Sequence, residues 1–144
     1  MRFWDTSAVV PLCISEPASV TVKTFLDSDP LIAVWWATRT ECVSAFTRQI
    51  REGSLSAVGE RQAREVLETL VRVWIEVQPG ATLRRTAERL LAVHPLRAAD
   101  ALQLAAALQW CRGQTTDQGF VSFDTRLREA AYKEGFTLLP AEPT

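Results

Sequence analysis

The sequence predicts an α/β fold in which helices flank a parallel sheet. Short apolar runs rich in β-branched and aromatic residues alternate along the chain with longer segments of helical period. That alternation marks parallel strands joined by helical crossovers. The 144 residues suit one domain of common size. Hydrophobic residues at 47% against 23% charged suffice for a full core and exclude a disordered chain. No repeat, low-complexity tract or linker interrupts it, so a single domain over 1–144 is expected.

Residues 2–4 (RFW) and the acid after them form a short strand ending at Asp5. Glu16-Pro17 then opens a helical stretch, ASVTVKTFLDS, which Asp29-Pro30 closes. LIAVWW at 31–36 has the make-up of a strand buried on both faces. Thr38 is placed to cap a helix through ECVSAFTRQIRE, and Gly53 to stop it. Ser56 begins the next helix, with apolar residues at Val58, Ala63, Val66, Leu67, Leu70 and Val71. VWIEV at 73–77 reads as a strand, ended by Pro79-Gly80. Helical period resumes from Thr82 to about Val93, where His94-Pro95 breaks it. LRAADALQLAAALQWC at 96–111 is a strongly apolar helix, followed by the loop RGQTTDQ. GFVSF at 119–123 is a strand, DTRLREAAYKEG a helix, and FTLLP a last short strand. In such a sheet, ligands bind beyond the carboxyl ends of strands, near a switch in strand order.

Sixteen Lys and Arg against 17 Asp and Glu give a net charge of −1. That balance excludes a protein that grips nucleic acid by charge alone, but not a nuclease. Cys13, Cys42 and Cys111 lie far apart without a CxxC pair, against a zinc knuckle or disulfide scaffold and for a reducing compartment. The N-terminus MRFWDTSAVV is neither a secretory signal nor a span. Asp100 and Gln103 interrupt AADALQLAAAL, the nearest approach to a membrane helix. A soluble cytoplasmic protein without membrane association is expected.

The informative acids stand at strand ends or in apolar settings. Asp5 closes the first strand, where a helix N-cap or turn Asp is the plainer reading and the tip of a central strand favours the functional one. Glu41 lies one turn into the helix after LIAVWW, where Thr38 and Glu41 also match a capping box. Asp100 is the strongest signal. From Leu96 to Cys111, 12 of 16 residues are apolar, and a buried carboxylate there needs a partner, a metal or a water-filled cavity. Arg97 offers an ion pair as the plainer explanation. Asp124 follows GFVSF and opens the next helix, so it too fits an N-cap; Asp117, in the preceding loop, competes as fourth acid. Four carboxylates gathered together repel one another and call for cations. Hard oxygen donors without His or Cys favour Mg²⁺ or Mn²⁺ over zinc. Such ions serve phosphodiester hydrolysis by activating water and offsetting charge on the leaving oxygen.

With FWDTSAVVPL at the start, LRAADALQLAAAL in the centre and FVSFDTRL before a final helix with Gly135, the chain resembles PIN-domain ribonucleases, most of all the VapC toxins of bacterial VapBC toxin–antitoxin pairs. The resemblance implies a PIN-like three-layer fold with a parallel sheet of about four or five strands. It implies an acidic Mg²⁺ or Mn²⁺ pocket in which Asp5, Glu41, Asp100 and Asp124 are catalytic metal ligands. Ser122, Ser7 and Thr6 would be supporting hydroxyls. It also implies an RNA substrate, a homodimer, and inhibition by a small DNA-binding antitoxin that offers an Arg or Lys to the four acids. Trp35, Trp36, Trp74 and Trp110 are candidates for partner surfaces, with core packing the plainer expectation for at least three. His94, the only histidine, is a poor catalytic candidate, and Cys42 is expected to face the core. The leading function is thus a metal-dependent endoribonuclease toxin. The alternative is an inactive PIN-like module that only binds a partner protein. A haloacid-dehalogenase-like phosphatase is weaker, because Ser7 stands where that chemistry favours a second acid.

Overall fold

The strands are only three or four residues long, yet each sends alternate side chains to opposite faces of one sheet. The computed structural model describes residues 1–142. Among them the order is β1 (Arg2–Trp4), α1 (Thr6–Cys13), α2 (Ser19–Ser28), β2 (Ile32–Trp35), α3 (Thr38–Arg51), α4 (Ala57–Val71), β3 (Ile75–Val77), α5 (Ala81–Val93), α6 (Ala98–Trp110), β4 (Gly119–Val121), α7 (Thr125–Lys133) and β5 (Thr137–Leu139). All four pairings are parallel, in the spatial order β3-β2-β1-β4-β5. The chain winds outward from β1 to β3, then returns to lay β4 on the other side of β1. The switch point therefore lies between the carboxyl ends of β1 and β4.

Phe3, Ala33, Trp35 and Phe120 face α5, α6 and α7, while Trp4, Ile32, Val34 and Val121 face α1 to α4. These two cores make the three layers of a PIN-like α/β fold. Phe3 and Trp4, both 0% exposed, anchor one core each; burial of a side chain of this size contributes roughly 1.5–3 kcal/mol. Ala105, Ala106 and Ala107 are fully buried, and their small size lets the α6 backbone lie close to the sheet.

The strands expected at 73–77, 119–123 and 136–140 are shorter than their apolar runs, because the flanking residues turn into loops. Helix α1 has no counterpart in the sequence expectation: Pro11 sits inside it and Val9-Val10 are β-branched, both adverse to helix. Burial of Ala8, Val9, Val10 and Pro11 overrides propensity. The cap expected from Thr38 does not form either. Helix α3 has Ala37 at its N-cap position, and the fully buried Thr38 turns its hydroxyl toward α6 instead. Gly53 ends α3 as expected, at φ +78°, a left-handed conformation that disfavours side chains.

Candidate active site

Asp5 occupies the N-cap position of α1 at the switch point, with extended backbone (φ −85°, ψ 171°), but its side chain caps no helix amide. Ser7 Oγ instead donates to Asp5 Oδ1 at 2.7 Å and accepts from the Phe123 N–H at 2.9 Å. This joins the start of α1 to the turn after β4. In that turn the buried Ser122 Oγ accepts from the Asp124 N–H at 3.1 Å. The Asp5 carboxyl is pushed from 3.8 up to about 7, chiefly by burial, against lowering hydrogen bonds from Ser7 and Ser122 and with added repulsion from Asp124 and Glu41.

Glu41 approaches from the first turn of α3. Its Oε1 accepts from Thr6 Oγ1 at 2.7 Å and from Gln103 Nε2 at 2.8 Å, so its side chain is committed across the sheet and not to a capping box. Asp100 stands half-buried in the first turn of α6. Burial, then Asp124, raise its pKa; the Arg97 backbone, the Arg97 guanidinium and Arg126 oppose that rise. The ion pair with Arg97 offered by the sequence does not form among the described residues. Asp124 does cap α7, accepting from the Leu127 N–H at 2.9 Å. It serves as N-cap and cleft residue at once.

Asp5, Thr6, Ser7, Glu41, Asp100 and Asp124 line one cleft of about 480 Å³, with Arg48 and Gln103 also in its walls. Past Asp100 and Asp124 it meets a second recess of about 470 Å³ lined by Arg97 and Arg126. Asp117 is exposed in the loop before β4, at φ +63°, and lines neither cavity. None of the four cleft acids is ion-paired among the described residues. The donor set is all hard oxygen, which fits Mg²⁺ or Mn²⁺. Among the described residues, though, no three Asp, Glu, His or Cys side chains converge into a ready-made metal cluster. The acids stand as a lining, not as a closed shell.

Gln103 and Thr38 join this network without having been singled out as site residues from sequence. Gln103's only sequence signal is polarity inside an apolar stretch, and Thr38 reads in the sequence only as a helix cap. His94 pairs with Glu134 at 2.6 Å at the end of α5, outside the cleft. Cys42 is fully buried. Trp35 and Trp74 are buried and Trp110 partly so, leaving Trp36, 51% exposed, as the surface indole of the four. No described helix is long and apolar enough to cross a membrane.

A three-layer α/β fold with its acids at the switch point of a parallel sheet defines the class of protein. The chain belongs to the PIN domain family, whose model matches residues 2–133. Its fold is similar to Mycobacterium tuberculosis VapC20, a sarcin–ricin loop cleaving toxin, at 20% identity and a TM-score of 0.66, over 90% of this chain and 95% of that one. It is also similar to a toxin–antitoxin complex from Klebsiella pneumoniae, at 18% identity and a TM-score of 0.58, over 88% of each chain. No curated protein matches the chain in sequence.

Proposed function

We propose that the protein is a Mg²⁺- or Mn²⁺-dependent endoribonuclease, the toxin of a toxin–antitoxin pair. The observation that carries this is the acid content of the cleft: a buried Asp5 and three further acids share one cavity, and none of the four is ion-paired among the described residues. Such an arrangement calls for a divalent ion. Asp5, Glu41, Asp100 and Asp124 would hold it; bound there, it supplies an activated water and offsets charge on the leaving oxygen. Ser7 and Ser122 orient Asp5, Thr6 orients Glu41, and the Ser122 hydroxyl, accepting from the Asp124 N–H, sets the turn that carries Asp124. Arg48 at one end and Arg97 with Arg126 at the other are placed to hold RNA phosphates. Hydrolysis adds water across one P–O bond, and the leaving oxygen departs with a proton. The same unpaired acids suit inhibition by a small DNA-binding antitoxin that inserts an Arg or Lys, and the working form would be a homodimer.

The test is RNA cleavage by antitoxin-free protein with Mg²⁺ or Mn²⁺. Wild type is expected to cleave, and Asp5→Ala or Asp100→Ala to lose at least about 100-fold while keeping the circular dichroism of the folded chain. Inert wild type with normal partner binding would sink the enzyme reading. One observation favours the second reading, a PIN-like module that only binds a partner: no three acids converge among the described residues. Calorimetric Mn²⁺ titration separates the two, since the module would bind no ion.

A further inference from the structure

We infer that Gln103 is a positioning residue for Glu41, pinning one of its carboxylate oxygens at the cleft. The inference rests on the acid cleft being a metal-dependent site. Gln103 lies one turn after Asp100 on α6 and is 3% exposed. Its Nε2 stands 2.8 Å from Glu41 Oε1, 3.0 Å from Thr6 Oγ1 and 3.2 Å from Thr38 Oγ1. Thr6 gives its own proton to the same Glu41 oxygen at 2.7 Å. Glu41 Oε1 thus receives two donors, while Oε2 has no hydrogen bond among the described residues. The carboxylate is pinned by one oxygen and keeps the other available to the cleft.

The orientation of the amide follows from its neighbours. With the opposite flip, Gln103 Oε1 would meet the Glu41 carboxylate acceptor to acceptor. The donor end must face Glu41, and the other end bears the consequence: Gln103 Oε1 is buried without any partner among the described residues. An unmade hydrogen bond of this kind is destabilising. Leu104, Ala105 and Ala106 beside it on α6 are fully buried, so the amide is a polar exception in an apolar stretch, and its hydrogen bonds run to Glu41, Thr6 and Thr38. The shortest of the amide's contacts is the one to Glu41. Residues that orient metal ligands in this way commonly carry about 10–100-fold of metal affinity or activity.

The decisive variant is Gln103→Met, close in shape and without a donor. Its melting temperature is expected to change by a few degrees at most, because losing the hydrogen bonds to Glu41, Thr6 and Thr38 is partly offset by removing the unpartnered Oε1. Its kcat for RNA cleavage should fall about 10–100-fold with KM unchanged, and its Mn²⁺ affinity by calorimetry should fall by a similar factor. Unchanged kcat and Mn²⁺ affinity would overturn the inference. So would losses of kcat and Mn²⁺ affinity that vanish at a temperature where the variant is fully folded, the signature of a merely structural side chain. A wild type that binds Mn²⁺ but cleaves no RNA would sink the nuclease reading alone, and the Mn²⁺ comparison would still decide on Gln103. A wild type that does neither overturns both.

Discussion

The Asp5 carboxyl, pushed up to about 7 by burial, makes the folded state prefer its protonated form. Its ordinary value is 3.8, so the metal-free native chain binds a proton there that the unfolded chain releases across the intervening range. Stability from this group is fully present below about pH 4, falls as pH rises, and is lost above about pH 7. The full swing is on the order of 4 kcal/mol at most. Metal-free wild type should therefore melt progressively lower between about pH 4 and 7 relative to Asp5→Asn, which cannot ionise. Adding Mn²⁺ at pH 8 should raise the melting temperature of wild type and leave Asp5→Asn nearly unmoved. Parallel pH profiles for the two proteins, measured by thermal unfolding, would refute the assignment of the perturbed proton to Asp5.

At the scale of elements, the site depends on how α1 is tied to the turn between β4 and α7. Ser7 spans the two: it accepts from the Phe123 N–H and donates to Asp5. Ser7→Ala leaves a part-buried N–H without its acceptor, an expected loss of about 1–3 kcal/mol. For a domain of this size that lowers the melting temperature by about 3–10 °C, with RNA cleavage falling as Asp5 loses its orienting donor. An unchanged melting curve would show that the tie contributes nothing. This element is also where reading the sequence fell short. The alternation of strands and helices was legible because its signal is local: LIAVWW is a buried strand on composition alone, and Gly53 and Ser56 mark their helix ends. Asp5, Glu41, Asp100 and Asp124 stood out because each falls at a strand's carboxyl end or in a helix's first turn. Helix α1 did not, since Pro11 and Val9-Val10 argue against a helix that only burial rescues. The roles of Thr38 and Gln103 were hidden for a different reason. Gln103 meets Glu41 across 62 residues of chain, and no periodicity announces such a contact.

Across the whole molecule, the net charge of −1 conceals an uneven distribution. Setting aside the four cleft acids turns −1 into +3 for the remainder. Fourteen of the 16 basic residues are Arg, the side chain best suited to phosphate. Arg97 and Arg126 stand where the acid cleft opens into the second recess, and neither is ion-paired among the described residues. RNA affinity should then come from the rim and chemistry from the floor, and the two should separate in kinetics. The double variant Arg97→Ala/Arg126→Ala should raise KM for RNA about tenfold with kcat within about twofold. Losing two phosphate contacts should also flatten the dependence of log KM on log salt by about 1 to 2. The measurement belongs at pH 8. Both arginines oppose the raised pKa of Asp100, so their loss shifts that acid further toward its protonated form, an effect that grows as pH falls and mimics a catalytic defect. If kcat falls at pH 8 while KM and its salt dependence stay put, Arg97 and Arg126 tune the acids rather than hold the substrate, and the RNA path must leave the cleft by the Arg48 side.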